Sequence, residues 1–181
     1  MSHFFKDHLE RYLADPSPEN FRTLQEALVQ SPEYAPYSGE PREVYPLIEQ
    51  GQFKTAKDQL MALMPNWFLN PGVHKLLSFI AHKLDDEPAA RFEFQLAMIL
   101  LEGILSTGAG SEDRPYQVLH TADEYDLLEH LDKQSEHQSL VEKDGRHFDR
   151  QDCTDGTQLW FDITWPFSHL QQKLGEKRET T

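Results

Sequence analysis

The chain carries nine histidines, and its densest stretch of acidic and imidazole side chains runs from His137 to Asp155. A transition-metal site needs three or four such groups that converge, and a helical pair of histidines four residues apart is its usual signal. That spacing is absent from this stretch. Asp149 and Asp152, with Asp155 before Gly156, suggest a calcium loop, but alternate-residue ligand spacing and a later bidentate glutamate are missing. Because tight connections require Asp and Gly, we interpret these residues as turns and expect neither a metal nor a cofactor.

Nucleophilic chemistry also lacks its usual patterns. The single cysteine, Cys153, lies in a predicted turn among acids, which raise the pKa of a thiol and make it less reactive. No serine lies in a Gly-x-Ser-x-Gly pattern, and the glycine-rich stretch at 108–110 follows a predicted helix and carries acids that would oppose a phosphate. The sequence therefore predicts a protein that is not an enzyme.

Four aromatic residues are the better candidates for function. Tyr34 and Tyr37 lie in a proline-rich linker, and Trp67 and Phe68 follow a predicted helix. Exposed aromatic side chains near a helical groove anchor peptides, because each buries a large area at a small cost in entropy. We predict these four as partner-binding residues. The alternative, which we favour for the tyrosines, is that they pin the linker to the core.

The composition excludes several classes of partner. The chain has 17 Lys and Arg against 31 Asp and Glu, a formal charge of −14, which repels nucleic acid and anionic lipid. One cysteine excludes an intramolecular disulfide and fits a reducing compartment. The longest apolar run, Leu96–Leu101, is far shorter than the ~20 residues that span a bilayer. Charged residues between Lys6 and Arg11 interrupt any signal peptide. We expect a soluble cytoplasmic protein that binds a protein or peptide, with no nucleic acid and no membrane.

Residues 1–107 have apolar side chains at helical spacing, which predicts six helices. The predicted starts are marked by Ser17, Asn70 and Asp86, each followed within two residues by a proline that the first turn of a helix tolerates. A short helix around residues 44–48 contains Pro46, which argues against it. Residues 108–115 form a glycine-rich linker. The sixth helix is apolar on more than one face and is expected to be the most buried.

Residues 116–175 predict a small α+β region packed on the helices, and residues 176–181 predict a disordered tail. A strand begins at Tyr116, and a helix begins at Thr121 with a capping box to Glu124. Asp144-Gly145 between two strand candidates predicts a hairpin. The last strand runs over 158–165, Pro166 ends it, and a helix starts at Ser168.

The helical region contains a partial repeat of 34 residues, the tetratricopeptide period. The positions that agree in kind pair Tyr45 with Phe79, Ala56 with Ala90, Leu60 with Phe94, Leu63 with Ala97, and Met64 with Met98. The small alanines would let helices cross closely, and Leu60 and Phe94 would fill the groove between hairpins. Asp85 replaces the turn glycine in the second copy, and no third copy precedes the first. The sequence thus predicts an α+β, mainly α fold: tetratricopeptide-like hairpins followed by a small antiparallel sheet with one or two helices.

The order of motifs resembles a family of uncharacterised bacterial domains of unknown function. The pattern runs from a helical array through PYQVLHTADEYDLLEHL to a closing DGTQLWFDITWPF, over about residues 45–167. The resemblance implies no activity, and it brings no site residues with it.

Three functions stay open at this point. We expect a non-catalytic protein or peptide interaction module that binds through a helical groove. The first alternative is an acidic immunity or inhibitor protein that binds a basic toxin or nuclease, which predicts a contiguous acidic patch. The second is a metal-dependent hydrolase that uses the residues from His147 to Asp155.

Overall fold

A computed structural model describes residues 3–179 of the chain, and within them it has eight α-helices, one 3₁₀ helix and four strands. The α-helices are α1 (His3–Ala14), α2 (Pro18–Val29), α3 (Tyr45–Glu49), α4 (Phe53–Ala62), α5 (Pro71–Lys83), α6 (Glu87–Ser106), α7 (Thr121–His130) and α8 (Thr164–Glu179), and the 3₁₀ helix is Pro41–Val44. The strands are β1 (Tyr116–Gln117), β2 (Ser135–Lys143), β3 (Arg146–Cys153) and β4 (Gln158–Asp162). The fold is α+β and mainly α, as predicted. No helix in this part of the chain has the length and apolar character needed to cross a membrane.

The predicted helix starts in the first region are confirmed. Ser17, Asn70 and Asp86 each accept a hydrogen bond from a backbone N–H in the first turn of the following helix, at 3.4, 2.9 and 3.2 Å. This satisfies donors that have no partner inside the helix. Pro46 also falls in a first turn, that of α3. The short helix therefore forms, because a proline there removes no helical hydrogen bond.

The four strands form one sheet in the order β1-β4-β3-β2. The predicted hairpin joins β2 and β3: Lys143 pairs with Arg146, and the two turn residues between them, Asp144 and Gly145, both have positive φ, 53° and 73°. Such a two-residue turn matches the twist of the strands. The expectation of a purely antiparallel sheet is wrong for β1, which runs parallel to β4. Along the chain, helix α7 and the β2–β3 hairpin connect β1 to β4, and this connection lets β4 run in the same direction as β1.

Two predicted boundaries of the second region are wrong. Strand β4 ends at Asp162, three residues earlier than predicted, because α8 begins at Thr164 with Pro166 inside its first turn. Asp162 Oδ1 accepts a hydrogen bond from Thr164 N at 2.9 Å and fixes that start. Helix α8 continues to Glu179, into the segment predicted as a disordered tail, and residues 180–181 of that tail lie outside the described residues.

The capping box of α7 is displaced by one residue. The N-cap is His120, not Thr121, and Asp123 accepts a hydrogen bond from the His120 N–H at 2.9 Å. Glu124, the predicted capping glutamate, instead accepts from the amide of Gln151 on β3. The capping carboxylate is therefore one residue earlier than the sequence pattern indicates, which leaves Glu124 to face the protein interior.

The larger of two hydrophobic cores is shared by the helical region and the sheet. It contains Phe5 of α1, Leu24 of α2 and Leu100 of α6 together with Phe161 of β4 and the following Ile163. The predicted packing of the sheet on the helices follows from this shared core. A second core around α4 and α5 contains Val44, Ala56, Leu60, Trp67, Val73, Leu77 and Ile80.

Burial differs between positions that the predicted 34-residue repeat pairs. Ala56 and Ala90 are both buried. The expected equivalence of Leu60 and Phe94 is wrong: Leu60 is completely buried, whereas Phe94 is 55% exposed. Only the second half of α6 is buried in the core, whereas the helix was expected to be buried along its length. Its buried residues are concentrated beyond Leu96, while Phe92 and Phe94 face solvent.

Gly103 marks the closest approach of α6 to α1 and α2. A Cβ at this position would lie 2.5 Å from the ring of Phe21 and 2.6 Å from the hydroxyl of Tyr12. We predict that Gly103→Ala lowers the free energy of unfolding by about 1–3 kcal/mol through overpacking, despite the higher helix propensity of alanine. Urea unfolding measures the change.

A double-mutant cycle with Phe21→Leu provides the control. The smaller side chain makes room for the added methyl group, so the double variant is expected to lose less free energy than the sum of the two single variants. Strict additivity would contradict the proposed clash.

Candidate functional site

The four predicted partner-binding aromatics occupy different environments. Tyr34 and Trp67 are each only 3% exposed, and Phe68 is partly buried with its ring edge-on to Phe5. Tyr37, in contrast, is 52% exposed. Tyr34 donates a hydrogen bond to the carbonyl of Leu119 at 2.9 Å, which ties the linker to the residue before the α7 cap. This geometry fits the alternative in which tyrosines pin the linker, and it leaves Tyr37 as the predicted residue with the largest free surface.

Further hydrogen bonds hold the linker in place next to α7. The side-chain amide of Asn66 accepts from Ala35 N and donates to Ala35 O, both at 2.9 Å. Trp67 Nε1 donates to the carbonyl of Ser38 at 3.1 Å. The backbone on both sides of Tyr37 is therefore fixed, and the exposed ring projects from an anchored segment.

A groove runs between this linker and α7. It consists of two adjoining cavities of about 300 and 340 Å³ that share Glu40 and Ala122 in their walls. We call it the linker–α7 groove. The residues that give it chemical character are Tyr37, Glu40, Arg42, Glu43, Tyr45, Tyr125, Asp126 and Glu129. Three of them are tyrosines with large exposed surfaces, at Tyr37, Tyr45 and Tyr125.

The groove is acidic. It has four carboxylates against one arginine, and Arg42 lies over the ring of Tyr125, 5.4 Å from its centre. Glu129 forms an ion pair with Lys75 at 2.8 Å. Neither Glu40 nor Glu43 forms an ion pair within residues 3–179. Glu40 Oε1 accepts a hydrogen bond from Arg42 N at 3.4 Å, which caps the 3₁₀ helix, so the linker side of the groove presents the second oxygen of Glu40 and the carboxylate of Glu43 to a cationic ligand.

Beneath the groove, Asn70 connects α5 to two carboxyl groups of α7. Its Nδ2 donates to Asp123 at 2.7 Å and to Asp126 at 2.8 Å. Asp123 also accepts from Leu119 N, and Asp126 accepts from Gly72 N at 3.0 Å. Burial nevertheless raises the pKa of Asp123 to about 7, and burial raises the pKa of Asp126 as well.

A second pair of carboxyls, Glu124 and Asp149, lies between α7 and β3. Glu124 accepts from the side chain of Gln151 at 2.8 Å, and Asp149 accepts from Gln138 at 2.7 Å. Burial raises the pKa of Glu124 well above its usual value, and the charge of Asp149 raises it further. Burial raises the pKa of Asp149 as well, and since like charges in a buried site cannot both ionise easily, the pair resists losing its second proton. Burial raises the pKa of the Tyr37 hydroxyl, and the negative charges of Asp149 and Glu124 raise it further. The pair therefore contributes to the electrostatic potential of the groove.

His120 is buried behind Trp67 and is uncharged. Its ring stacks on Trp67 at 4.0 Å with an angle of 20° between the planes, and burial lowers the pKa of the imidazole to about 3. Its Nδ1 is 3.9 Å from Asp123, beyond hydrogen-bonding distance. His120 therefore acts as a flat aromatic ring that supports Trp67.

The residues between His147 and Asp155 do not converge on one point. Asp149 belongs to the buried network, whereas Asp152 pairs with Arg150 at 3.0 Å and Asp155 accepts from Thr157 N in a turn. Cys153 ends β3 in the core, where burial raises the pKa of its thiol. Among residues 3–179 no group of three or more His, Cys, Asp or Glu side chains is arranged to hold a metal ion.

Sequence reasoning missed Glu124, Asp149 and Gln151. Asp149 and Gln151 are two positions apart on β3, so their side chains share one face of the sheet. A polar face of a strand normally indicates solvent. No local signal shows that α7 covers this face, because Glu124 lies 27 positions before Gln151.

Fold and groove together define a mainly helical α+β protein in which a short linker and one helix enclose an acidic, tyrosine-lined surface. The chain belongs to the family described as Domain of unknown function (DUF4919), whose sequence profile matches residues 5–172. This confirms the resemblance to an uncharacterised domain family. The chain matches no curated protein and no solved structure.

The buried carboxyls make a prediction about pH. A carboxyl whose pKa is higher in the folded than in the unfolded chain takes up a proton on folding, so stability falls as pH rises from its unfolded pKa to its folded pKa. Asp123, with values of 3.8 and about 7, acts in this window, and Glu124 adds to it. We predict that the free energy of unfolding falls between about pH 5 and pH 7, by up to ~1.4 kcal/mol per pH unit for each such group.

Glu124→Gln tests the assignment, because the amide keeps the neutral form at every pH. Urea unfolding across this pH range should give a shallower slope for the variant than for the natural chain. His120 has the opposite sign, since its lowered pKa costs stability as pH falls below about 6.5, but it is common to both proteins. The control is the exposed carboxylate variant Glu136→Gln, whose slope should match that of the natural chain. Equal slopes for Glu124→Gln and the natural chain would refute the raised pKa.

Trp67 and Tyr37 should respond differently to truncation. Trp67→Ala removes a buried ring that stacks on His120, and we predict a loss of about 3–5 kcal/mol in the free energy of unfolding. Tyr37→Ala should cost below ~1 kcal/mol, because half of the side chain is already exposed. Thermal and urea unfolding of both variants make the comparison, and similar losses would contradict it.

Proposed function

We propose that the protein is a non-catalytic interaction module whose linker–α7 groove binds a basic segment of a protein or peptide partner. The observation that carries this proposal is the combination of three exposed tyrosines, Tyr37, Tyr45 and Tyr125, with the carboxylates of Glu40 and Glu43, which form no ion pair among the described residues. Tyrosine buries a large area on binding and loses few rotamers. The carboxylates supply the charge that selects lysine or arginine.

The contact between Arg42 and Tyr125 supports the same chemistry. The guanidinium of Arg42 lies 5.4 Å from the ring centre, so a tyrosine of the groove already accepts a cation over its face. A partner arginine or lysine would find a similar arrangement at Tyr37, where the ring is exposed and the Glu124–Asp149 pair adds negative potential. The net charge of −14 would speed the approach of a basic partner at low salt.

In this proposal the helical region is a tetratricopeptide-like scaffold with an α+β cap. Helix α5 packs against both α4 and α6, and the buried Ala56 and Ala90 lie on α4 and α6. The cap contributes α7, which forms one wall of the groove. The buried free thiol of Cys153 fits a reducing compartment, and we propose the cytoplasm as the location.

A second candidate is an acidic immunity or inhibitor protein that blocks a basic toxin or nuclease. The unpaired Glu40 and Glu43 also favour this function, since an inhibitor needs carboxylates free to pair with a basic surface. The two candidates differ in the form of the partner: a short extended segment suffices for the interaction module, whereas the inhibitor requires a folded basic protein.

Selection of displayed random peptides on the purified protein tests the proposal. We predict enrichment of peptides that combine lysine or arginine with an aliphatic or aromatic residue. A selected peptide, synthesised with a fluorophore, should lose at least tenfold in affinity for the double variant Glu40→Lys/Glu43→Lys and for Tyr37→Ala, as expected when a hot-spot contact of about 1.4 kcal/mol or more is lost.

The matched control is Asp58→Lys/Glu136→Lys. Both residues are exposed and lie outside the groove, so the change in net charge is the same. This control should keep most of the affinity. Equal losses in both double variants would show general electrostatic attraction rather than a groove. Failure of every short peptide, together with binding of a folded basic protein that depends on Glu40 and Glu43, would favour the inhibitor.

A further inference from the structure

A separate cavity of the described chain lies away from the groove. It has a volume of about 530 Å³ and is enclosed by the start of α2, the end of α6, the 113–117 segment and the adjoining ends of β3 and β4. Small-molecule sites commonly have volumes of about 300–1,000 Å³. No residue of its wall lines the linker–α7 groove.

Three arginines from three separate segments line this cavity: Arg22 of α2, Arg114 of the glycine-rich 108–115 segment and Arg146 of β3. Arg146 is held by an ion pair with buried Asp162. Arg22 pairs with Glu26 one turn along the helix, an exposed contact that contributes little stability. Arg114 has no ion-pair partner among residues 3–179. The guanidinium of Arg114 is therefore unpaired among the described residues, and that of Arg22 can exchange Glu26 for a ligand with little loss of stability.

The backbone that carries Arg114 is fixed. Ala109 N donates to the carbonyl of Arg114 at 2.7 Å, and Arg114 N donates to the carbonyl of Ser111 at 3.1 Å. A Cβ at Gly108 would lie 2.1 Å from the carbonyl oxygen of Pro115, so only glycine permits this close approach. The loop therefore places the backbone of Arg114 at the cavity, and the described residues give its side chain no hydrogen bond or ion pair.

Gln25 provides a second, independent feature. It lines the cavity, is only 1% exposed, and its Nε2 donates to the carbonyl of Gln117 at 3.2 Å. Its Oε1 has no hydrogen-bond donor within the described residues. A buried polar atom without a partner costs free energy, and since this oxygen is out of contact with solvent, a ligand that donates a hydrogen bond would recover that cost once the Gln25 side chain turns toward the cavity.

The acids of the wall decide the class of ligand. Asp162 forms an ion pair with Arg146. The remaining charged side chains of the wall are two carboxylates, Glu19 and Asp113, and two guanidinium groups, Arg22 and Arg114. A purely anionic ligand would meet both carboxylates, whereas a molecule with one carboxylate and one ammonium group satisfies both signs. Arginine binds a carboxylate through two parallel N–H groups.

We propose that this cavity binds a small zwitterion of the amino acid and dipeptide class. Its carboxylate pairs with Arg114 and Arg22, and its ammonium or amide N–H donates to Gln25 Oε1 and faces Glu19 and Asp113. The site is separate from the proposed partner groove and does not depend on it.

Three probes separate the parts of this proposal. Alanyl-alanine carries both charges, N-acetyl-alanyl-alanine lacks the ammonium, and alanyl-alanine amide lacks the carboxylate. Chemical-shift titration of the ¹⁵N-labelled full chain should show saturable shifts at the side chains of Arg114 and Gln25 with alanyl-alanine, and roughly tenfold weaker binding of each blocked probe, the loss expected for one charge-assisted hydrogen bond.

Variants assign the roles. Arg114 is exposed, so Arg114→Gln should fold normally, bind alanyl-alanine at least tenfold more weakly, and no longer prefer it over the amide. Gln25→Met should reduce the preference over the acetylated probe. Arg91→Gln, an exposed arginine of α6 outside this cavity, is the matched control and should bind like the natural chain.

The proposal would be overturned by the absence of saturable shifts up to about 50 mM of alanyl-alanine, a concentration at which even very weak sites fill. Equal binding of all three probes would also overturn it, since the charges would then play no part. Loss of binding in Arg91→Gln equal to that in Arg114→Gln would show non-specific attraction to arginine.

Discussion

The side chain of Asn70 joins the two regions of the chain. Its Oδ1 caps α5 through Val73 N, while its Nδ2 donates to both Asp123 and Asp126 of α7. Two buried carboxyls that lacked these donors would carry a large desolvation cost. This amide therefore holds α7 against α5, together with the hydrogen bond from Gly72 N to Asp126 and the Lys75–Glu129 ion pair. Helix α7 in turn forms a wall of the groove and covers the polar face of β3.

The electrostatics of the molecule follow from that arrangement. A chain with a charge of −14 places several of its acids in the interior, at Asp123, Glu124 and Asp149, where burial raises their pKa values. Other acids remain unpaired at the surface, as Glu40 and Glu43 do. The first set connects the elements and costs stability as they ionise. The second set is free to act on a partner, and this division makes the groove a better candidate for recognition than for chemistry.

The two proposed sites depend on side chains of opposite charge. The linker–α7 groove combines tyrosine faces with carboxylates and suits a basic segment, whereas the cavity at Arg114 combines guanidinium groups with a buried amide and suits a small zwitterion. They share no residues. Occupation of the cavity would involve α2, α6 and the 113–117 segment, while the groove involves the linker, α5 and α7, so the fold can hold both ligands at once.

Local patterns in the sequence determined the helices and the hairpin. Caps at Ser17, Asn70 and Asp86 and the Asp144-Gly145 turn act over a few residues, so their chemistry can be read directly from the chain. The start of α8 was misjudged because Pro166 is compatible both with the end of a strand and with the first turn of a helix. Only the side chain of Asp162, at the end of β4, decides between them.

The composition likewise determined that the surface is acidic and that one cysteine stands alone. Only the tertiary structure decided which aromatics are available, since Tyr34 and Trp67 are covered and Tyr37, Tyr45 and Tyr125 are not. The same holds for the buried Glu124–Asp149 pair and for the arginines around Gln25. These groups are far apart along the chain, and their proximity arises from packing between elements, which local patterns of residue type do not encode.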